Sequence, residues 1–384
     1  MKGNISIVGF CTGCGACIEI CPVHCIVMRE DEEDGHLYPV IDDNSCIACG
    51  RCLDVCPVYG PFELYYPKKA FAARAKADDD YITSSSGGVA SVLSRMIVEK
   101  GGVVYGCISE GMHVHHVRAS SVSDLARFKG SKYVYSELKG TFRSVKKDLS
   151  EGMTVLFIGT PCQTAALRKY AGNMSGGLYL VDLICHGVPS RKVLEEHFAK
   201  MIPGINVDRL SFRRGNDFIL EAFSEGKTVY SADYGKRQWS DMYFLAFMNG
   251  IAFRKSCYRC RFACPERSSD MTIGDFWGIS DITSLPFACR NGLSVILPVT
   301  EKGMELLDMA EERLEMSERS VSEAVAGNEQ LRHPFRLTNA SRIFRVLYSM
   351  HIPFDTAVRS VLSGRIAWLM LKSRLRKIKH RFFI

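Results

Sequence analysis

Eight cysteines fall in two identical runs, Cys11, Cys14, Cys17, Cys21-Pro22 and Cys46, Cys49, Cys52, Cys56-Pro57, offset by 35 residues. Each reads C-x2-C-x2-C-x3-C-P, a spacing that gathers three thiolates of a tight loop and one remote thiolate around a cubane iron–sulfur cluster. With 16 cysteines in 384 residues, four at set positions coincide by chance on the order of once in 10^5 to 10^6 starting points, so a duplicate is no accident. A zinc ribbon also uses C-x2-C pairs but has no need of the x3-C-P element.

In a two-cluster ferredoxin the fourth cysteine of each run serves the other cluster. That rule assigns Cys11, Cys14, Cys17 and Cys56 to one [4Fe-4S] cluster and Cys46, Cys49, Cys52 and Cys21 to the second. Gly13, Gly15 and Gly50 supply positive φ inside the loops, while Pro22 and Pro57 end each run. A unit of about 60 residues buries little surface, so the clusters are expected to supply much of its folding energy. Cys25 reads as a small buried apolar side chain beside a cluster, and the acidic run from Glu30 to Asp34 as a solvated loop.

The chain is 47% hydrophobic, enough for two or three packed domains. It has no N-terminal apolar export segment, and so many cysteines in cluster spacing fit a reducing cytoplasm rather than disulfides. The net charge of +7 is concentrated in 356–384, which holds eight Lys and Arg and no acid, leaving the rest close to neutral. Nothing in this distribution suggests a nucleic-acid partner.

After a Pro-, Gly- and Tyr-containing linker, short apolar strands alternate with helical patterns. Strands are expected at 70–75, 103–109, 153–158, 178–184 and 294–299, with helices at 88–100, 141–149, 163–170, 192–201 and 243–253. Short β elements are expected between 210 and 234. The alternation predicts an α/β domain with a mainly parallel sheet. No G-x-G-x-x-G is present, and Gly226-Lys227-Thr228 lacks the first glycine of a P-loop, so it reads as a turn.

A third cysteine group, Cys257, Cys260 and Cys264, lies far down the chain. Cys162 follows Gly159-Thr160-Pro161 and Cys185 precedes His186-Gly187, both at predicted strand ends, where α/β sheets meet their ligands. Five cysteines can thus converge on a third [4Fe-4S] cluster, with structural zinc or scattered buried thiols as the alternatives. Cubanes carry single electrons, and a flavin is the usual converter to two-electron chemistry. Two turns could wrap one: Ser85, Ser86, Gly87 and Gly88 opening a helix, and Gly130, Ser131, Lys132 and Tyr133, although either string alone is an ordinary cap or turn.

The segments TSSSGGVASVL, KGSKYVYS, GTPCQTAALRK, ICHGVPS and SCYRC followed by DMTIGDFWG, ordered behind a two-cluster ferredoxin unit, resemble the coenzyme F420 hydrogenase/dehydrogenase beta-subunit family. The resemblance spans roughly residues 1–300. It implies a 2[4Fe-4S] ferredoxin-type domain at 1–62, followed by the N-terminal and C-terminal type domains of that family at 70–152 and 153–315. A helical, basic extension at 316–384 follows, giving an α+β / α/β chain in which an α/β flavin-binding domain follows the ferredoxin unit.

It further implies that Cys162, Cys185, Cys257 and Cys260 ligate a flavin-proximal cluster. FAD would be lined by Ser85, Ser86, Gly87, Gly88, Gly130, Ser131, Lys132 and Tyr133, with Asp275 near it. Cys264 is an extra thiol that could replace one of the four ligands. The implied activity is an oxidoreductase exchanging electrons with a redox partner protein or reduced carrier and with a small organic substrate, a deazaflavin or another acceptor. Some members occur with surface-polysaccharide enzymes. The competing class is a non-catalytic relay protein without a substrate pocket, and no residue identifies a catalytic group.

His113, His115 and His116 alternate along a predicted strand without carboxylate companions in the sequence, and read as a solvated strand end. Val361, Trp368, Leu371, Leu375, Ile378 and Phe382 recur at helical intervals after an expected break at Gly364. This tail packs on its own domain or lies peripherally on an anionic membrane at the inner surface, since its apolar run is far too short to span one.

Overall fold

A computed structural model describes residues 3–382, with side chains through residue 375. The N-terminal unit holds helix α1 (Ala16–Ile20), the antiparallel strands β1 (Ile26–Glu30) and β2 (Leu37–Ile41), and helix α2 (Arg51–Asp54). Both helices begin inside a cysteine run. Each starts from a glycine, Gly15 or Gly50, at φ 75°, a left-handed conformation in which a side chain would strain the loop.

The chain then continues through β3 (Ala70–Ala75), α3 (Asp78–Ile82), α4 (Val89–Glu99), β4 (Val103–Glu110), β5 (His113–Ala119), α5 (Thr141–Ser150), β6 (Val155–Gly159), α6 (Pro161–Ala171), β7 (Leu178–Leu183) and α7 (Arg191–Met201). A small sheet follows, β8 (Arg209–Ser211), β9 (Ile219–Ser224) and β10 (Lys227–Asp233). After it come α8 (Met242–Met248), β11 (Met271–Asp275), β12 (Ser294–Pro298), α9 (Glu301–Ala310), β13 (Leu314–Arg319) and α10 (Val321–Gly327). The C-terminal helices are α11 (Asn339–Ser349), α12 (Phe354–Val361) and α13 (Ser363–Phe382).

Eight strands form one sheet in the order β13-β3-β12-β11-β7-β6-β4-β5. It is mixed rather than mainly parallel. Only β11, β7, β6 and β4 run parallel, whereas β5, β12, β3 and β13 join antiparallel. A turn at Gly111 and Met112 returns the chain from β4 straight into β5, leaving no room for the crossover that a parallel partner needs. The expected boundary between 152 and 153 falls within this sheet. The expected helix at 243–253 stops at Met248, because Gly250 adopts φ 58° and turns the chain out of it.

Two cores flank the central strands. One packs α4 and α9 on Leu156, Val181 and Ile296; the other packs α5 and α6 on Val103, Phe157 and Leu180. The second also takes in Cys14, Ala16 and Val55, so the ferredoxin unit shares apolar packing with the main sheet. Each such buried Leu or Phe contributes roughly 1.5–3 kcal/mol.

The acidic run is a contact between parts of the chain, not a free loop. Glu33 pairs with Lys255 at 2.8 Å, Glu30 with Lys192 at 3.2 Å, and buried Asp34 accepts from Tyr38 at 2.8 Å. The histidine strand also departs from expectation. Glu137, distant in sequence, meets His113, Glu110 of the preceding strand meets His115 across the hairpin, and His116 is buried between the Ser136 hydroxyl and the Ile158 carbonyl.

The tail breaks at Leu362 rather than Gly364. Leu362, Ile366 and Leu369 pack into the core formed with Phe344, Phe354 and Val358, while Trp368, Leu371 and Leu375 are exposed. The side chains of Ile378 and Phe382 lie outside the described residues. Among the described residues, no helix is long and apolar enough to cross a membrane.

Candidate redox centres

The two N-terminal runs interleave in space. Cys56 acts electrostatically on Cys14 and Cys17, placing it with the first run, and burial pushes the thiols of all three up. Cys21 lines a small pocket with Cys46, Cys49 and Cys52 of the second run. Cys25 is buried against this group, its sulfur 3.5 Å from that of Cys21. Lys169 from α6 donates to the carbonyls of Cys56 at 2.9 Å and Tyr59 at 2.8 Å, tying the end of the second run to the main domain.

A third thiol group forms at the C-terminal ends of the parallel strands, where such sheets place their ligands. Cys162 follows β6 as the second residue of α6, whose start is fixed by reciprocal hydrogen bonds between Thr160 and Gln163. Cys185 follows β7. Cys257 and Cys260 come from a short 3-10 turn that reaches this edge because Phe253 bridges to Pro189 and the Arg254 N–H donates to the Val188 carbonyl at 3.0 Å.

These four thiols act on one another. Burial and then the Cys260 charge push Cys257 up to about 12, burial and then Cys162 push Cys260 up to about 11, and Cys185 is raised by burial, Cys257 and Cys162. Cys264 lies beside Cys260, with its thiol directed to the carbonyls of Glu266 at 3.3 Å and Arg261 at 3.5 Å. Among the described residues, no three Cys, His, Asp or Glu side chains close to the separation that a single metal ion requires.

The two turns expected at a flavin meet. The Ser131 N–H donates to the Ser85 hydroxyl at 3.0 Å. Gly87 is pressed against β3 so closely that a Cβ would fall 2.2 Å from the Ala73 carbonyl oxygen, and Gly88 opens α4 at φ 82°. The Ser86 hydroxyl donates to the Leu293 carbonyl at 3.0 Å. Lys132 turns inward, its ammonium held by the carbonyls of Phe128 and Lys129 at 2.9 and 3.1 Å, with its pKa lowered by burial.

One residue that the sequence did not single out organises this region. Arg213 donates to the Ser85 carbonyl at 2.9 Å, to the Asp275 carboxylate at 3.0 Å and to the Tyr133 hydroxyl at 3.1 Å. It lies two residues beyond β8, with its cation 4.3 Å from the Phe218 ring. Its only sequence signal is a basic residue directly after the apolar Leu210 and Phe212, a weak one. The Tyr133 ring stacks on Phe247 at 4.7 Å, and Phe247 lies 5.3 Å from His186, the neighbour of Cys185. Three rings therefore connect the Arg213 region to the third thiol group.

Residues 152–324 match the family described as the C terminus of the coenzyme F420 hydrogenase/dehydrogenase beta subunit, and residues 10–59 match the 4Fe-4S dicluster domain. With its dicluster domain, the chain is an iron–sulfur electron-transfer protein related to F420 hydrogenase beta subunits. The beta-subunit segment contains Cys162, Cys185, Cys257, Cys260, Arg213 and Asp275, while the turns at 85–88 and 130–133 precede it. A solved chain from the F420-reducing [NiFe] hydrogenase complex of Methanosarcina barkeri, studied by xenon derivatization, aligns at TM-score 0.47 and 17% identity over 80% of this chain and 95% of that one. No curated protein matches the chain significantly.

Proposed function

We propose that the protein is an iron–sulfur flavoprotein oxidoreductase. In this reading it holds two ferredoxin-type [4Fe-4S] clusters, a third [4Fe-4S] cluster and FAD, and exchanges electrons between a redox partner and an organic substrate of the deazaflavin class or another organic acceptor. The observation that carries it is the ring-linked pair of sites. Four mutually interacting thiols stand at one end of the His186, Phe247 and Tyr133 series, and the cradle of Ser85, Ser131, Arg213 and Asp275 stands at the other.

The donor sets fit these groups. Cys11, Cys14, Cys17 and Cys56 would hold one cluster, Cys21, Cys46, Cys49 and Cys52 the second, and Cys162, Cys185, Cys257 and Cys260 the third. The N-terminus of α4, opened by Gly88, suits a pyrophosphate, which helix N–H groups can hold, while the missing Cβ of Gly87 lets this turn pack against β3. When bound, the clusters supply one-electron transfer and FAD the conversion to two-electron chemistry.

The protein's own groups do the rest. Arg213 keeps the two turns and Asp275 in one arrangement, burial around Tyr133 and Phe247 excludes water, and Lys132 holds the 128–132 turn closed. Anaerobically reconstituted protein tests the reading. Bound FAD whose visible absorbance bleaches on adding a reduced carrier supports it, whereas clusters without flavin would leave a relay protein.

A further inference from the structure

Arg254 and Arg267 are 0% and 1% exposed, the two largest side chains buried to this degree. A guanidinium stays charged wherever it is placed, and a buried charge is retained only where something compensates it. Buried Arg213 has Asp275 for this purpose. Among the described residues, Arg254 has no carboxylate within 4.0 Å, whereas Arg267 faces the charge of the buried Asp182 carboxylate.

The surroundings of Arg254 show what takes the place of a carboxylate. It donates to the Leu37 carbonyl at 3.0 Å and to the Cys11 carbonyl at 3.5 Å, and its cation lies 4.7 Å from the Tyr38 ring and 5.2 Å from the Tyr135 ring. The first cysteine loop comes this near because Gly13, at φ 77°, has no side chain: a Cβ there would fall 2.6 Å from Nη2. The Tyr135 hydroxyl donates to the Gly13 carbonyl at 2.5 Å and closes the contact. On its other side Arg254 is three residues before Cys257, whose N–H donates to the Arg254 carbonyl at 2.9 Å. The Arg254 cation thus lies against the Cys11 loop of the ferredoxin unit, while its backbone leads directly into the turn that carries Cys257 of the third group. Arg267 donates to the carbonyl of Phe262, which lies between Cys260 and Cys264.

Building on the three-cluster reading above, we propose that Arg254 is the shared counter-ion of two iron–sulfur centres, the one held by Cys11, Cys14, Cys17 and Cys56 and the one held by Cys162, Cys185, Cys257 and Cys260. A cubane with four thiolate ligands is a net anion and gains negative charge on reduction, so a fixed cation in a low-dielectric gap favours the reduced form of each neighbour. Arg254 raises both potentials together and keeps the two centres close enough to exchange electrons. Arg267 raises that of the third centre alone. The remaining ferredoxin centre, held by Cys21, Cys46, Cys49 and Cys52, is indifferent to both.

Redox-titrated EPR of reconstituted full-length protein tests this. Arg254→Gln is expected to move two of three midpoint potentials to more negative values, Arg267→Gln only one, and Arg254→Lys neither by a comparable amount. If Arg254→Gln fails to hold its iron, Arg254→His replaces it, and the same two potentials should fall together as pH rises through the imidazole range. Three centres with unmoved potentials in Arg254→Gln, or pH-independent ones in Arg254→His, would overturn the counter-ion role alone. A wild-type protein with only two centres would instead overturn the three-cluster reading, and the shared role with it.

Discussion

Arg213 Nη1 lies 3.0 Å from the Asp275 carboxylate, with the arginine side chain only 1% exposed. The same guanidinium reaches the Ser85 carbonyl and the Tyr133 hydroxyl, so one side chain sets the spacing of three segments far apart in the chain. Arg213→Met removes charged hydrogen bonds worth about 1.5–3 kcal/mol each and leaves Asp275 unpaired. Flavin affinity should fall by roughly tenfold to a hundredfold while iron content holds. Flavin released on denaturation, set against iron in the same sample, measures this.

Cys257→Ser should lower iron from about 12 to about 8 atoms per chain, because one ligand of four is lost from a centre separate from the ferredoxin pair. Cys264→Ser should leave it at about 12, since its thiol is directed to the Arg261 and Glu266 carbonyls. Equal losses in both variants would show that Cys264 is a ligand.

His197 is enclosed between Asp241 at 3.0 Å and Asp355 at 2.8 Å. Burial opposes its charge, but the hydrogen bonds and charges of the two carboxylates outweigh that and raise its pKa from 6.5 to about 9. The folded state therefore binds a proton that the unfolded state releases between these values. The stabilisation, on the order of 3 kcal/mol, is complete below about pH 6.5 and is lost as pH rises through about 9. Denaturant midpoints should fall across that window in the wild type and much less in His197→Gln.

Trp368, Leu371 and Leu375 form an exposed apolar stripe on α13 beside Arg365, Lys372 and Arg374. If the stripe meets a membrane, the protein should sediment with anionic liposomes at low salt, and Trp368→Ser with Leu371→Ser should abolish this without unfolding, because the packed face is Ile366 and Leu369. Equal sedimentation of the variant would remove the membrane contact.

Cysteine spacing and apolar runs carried most of what could be read in advance. The helices and strands flanking Cys162 and Cys185 stand close to where periodicity places them, because buried parallel strands are largely apolar, with Asp182 of β7 the exception. What the linear pattern did not reveal depends on pairing across distance. The sheet becomes mixed because β5 and β12 fold back antiparallel on β4 and β11, and because β3, which follows the ferredoxin unit, inserts between β12 and β13 near the end of the main domain. Glu137 meets the histidine strand only after folding. Arg213 and Arg254 stand among 49 Lys and Arg, and only burial without solvent or, for Arg254, without a carboxylate separates them from surface cations.

The most direct test of the central claim is iron, acid-labile sulfide and flavin per chain in oxygen-free protein. Three centres and one flavin predict about 12 iron, about 12 sulfide and one FAD. About 8 iron with no flavin, or zinc in place of iron, would contradict it.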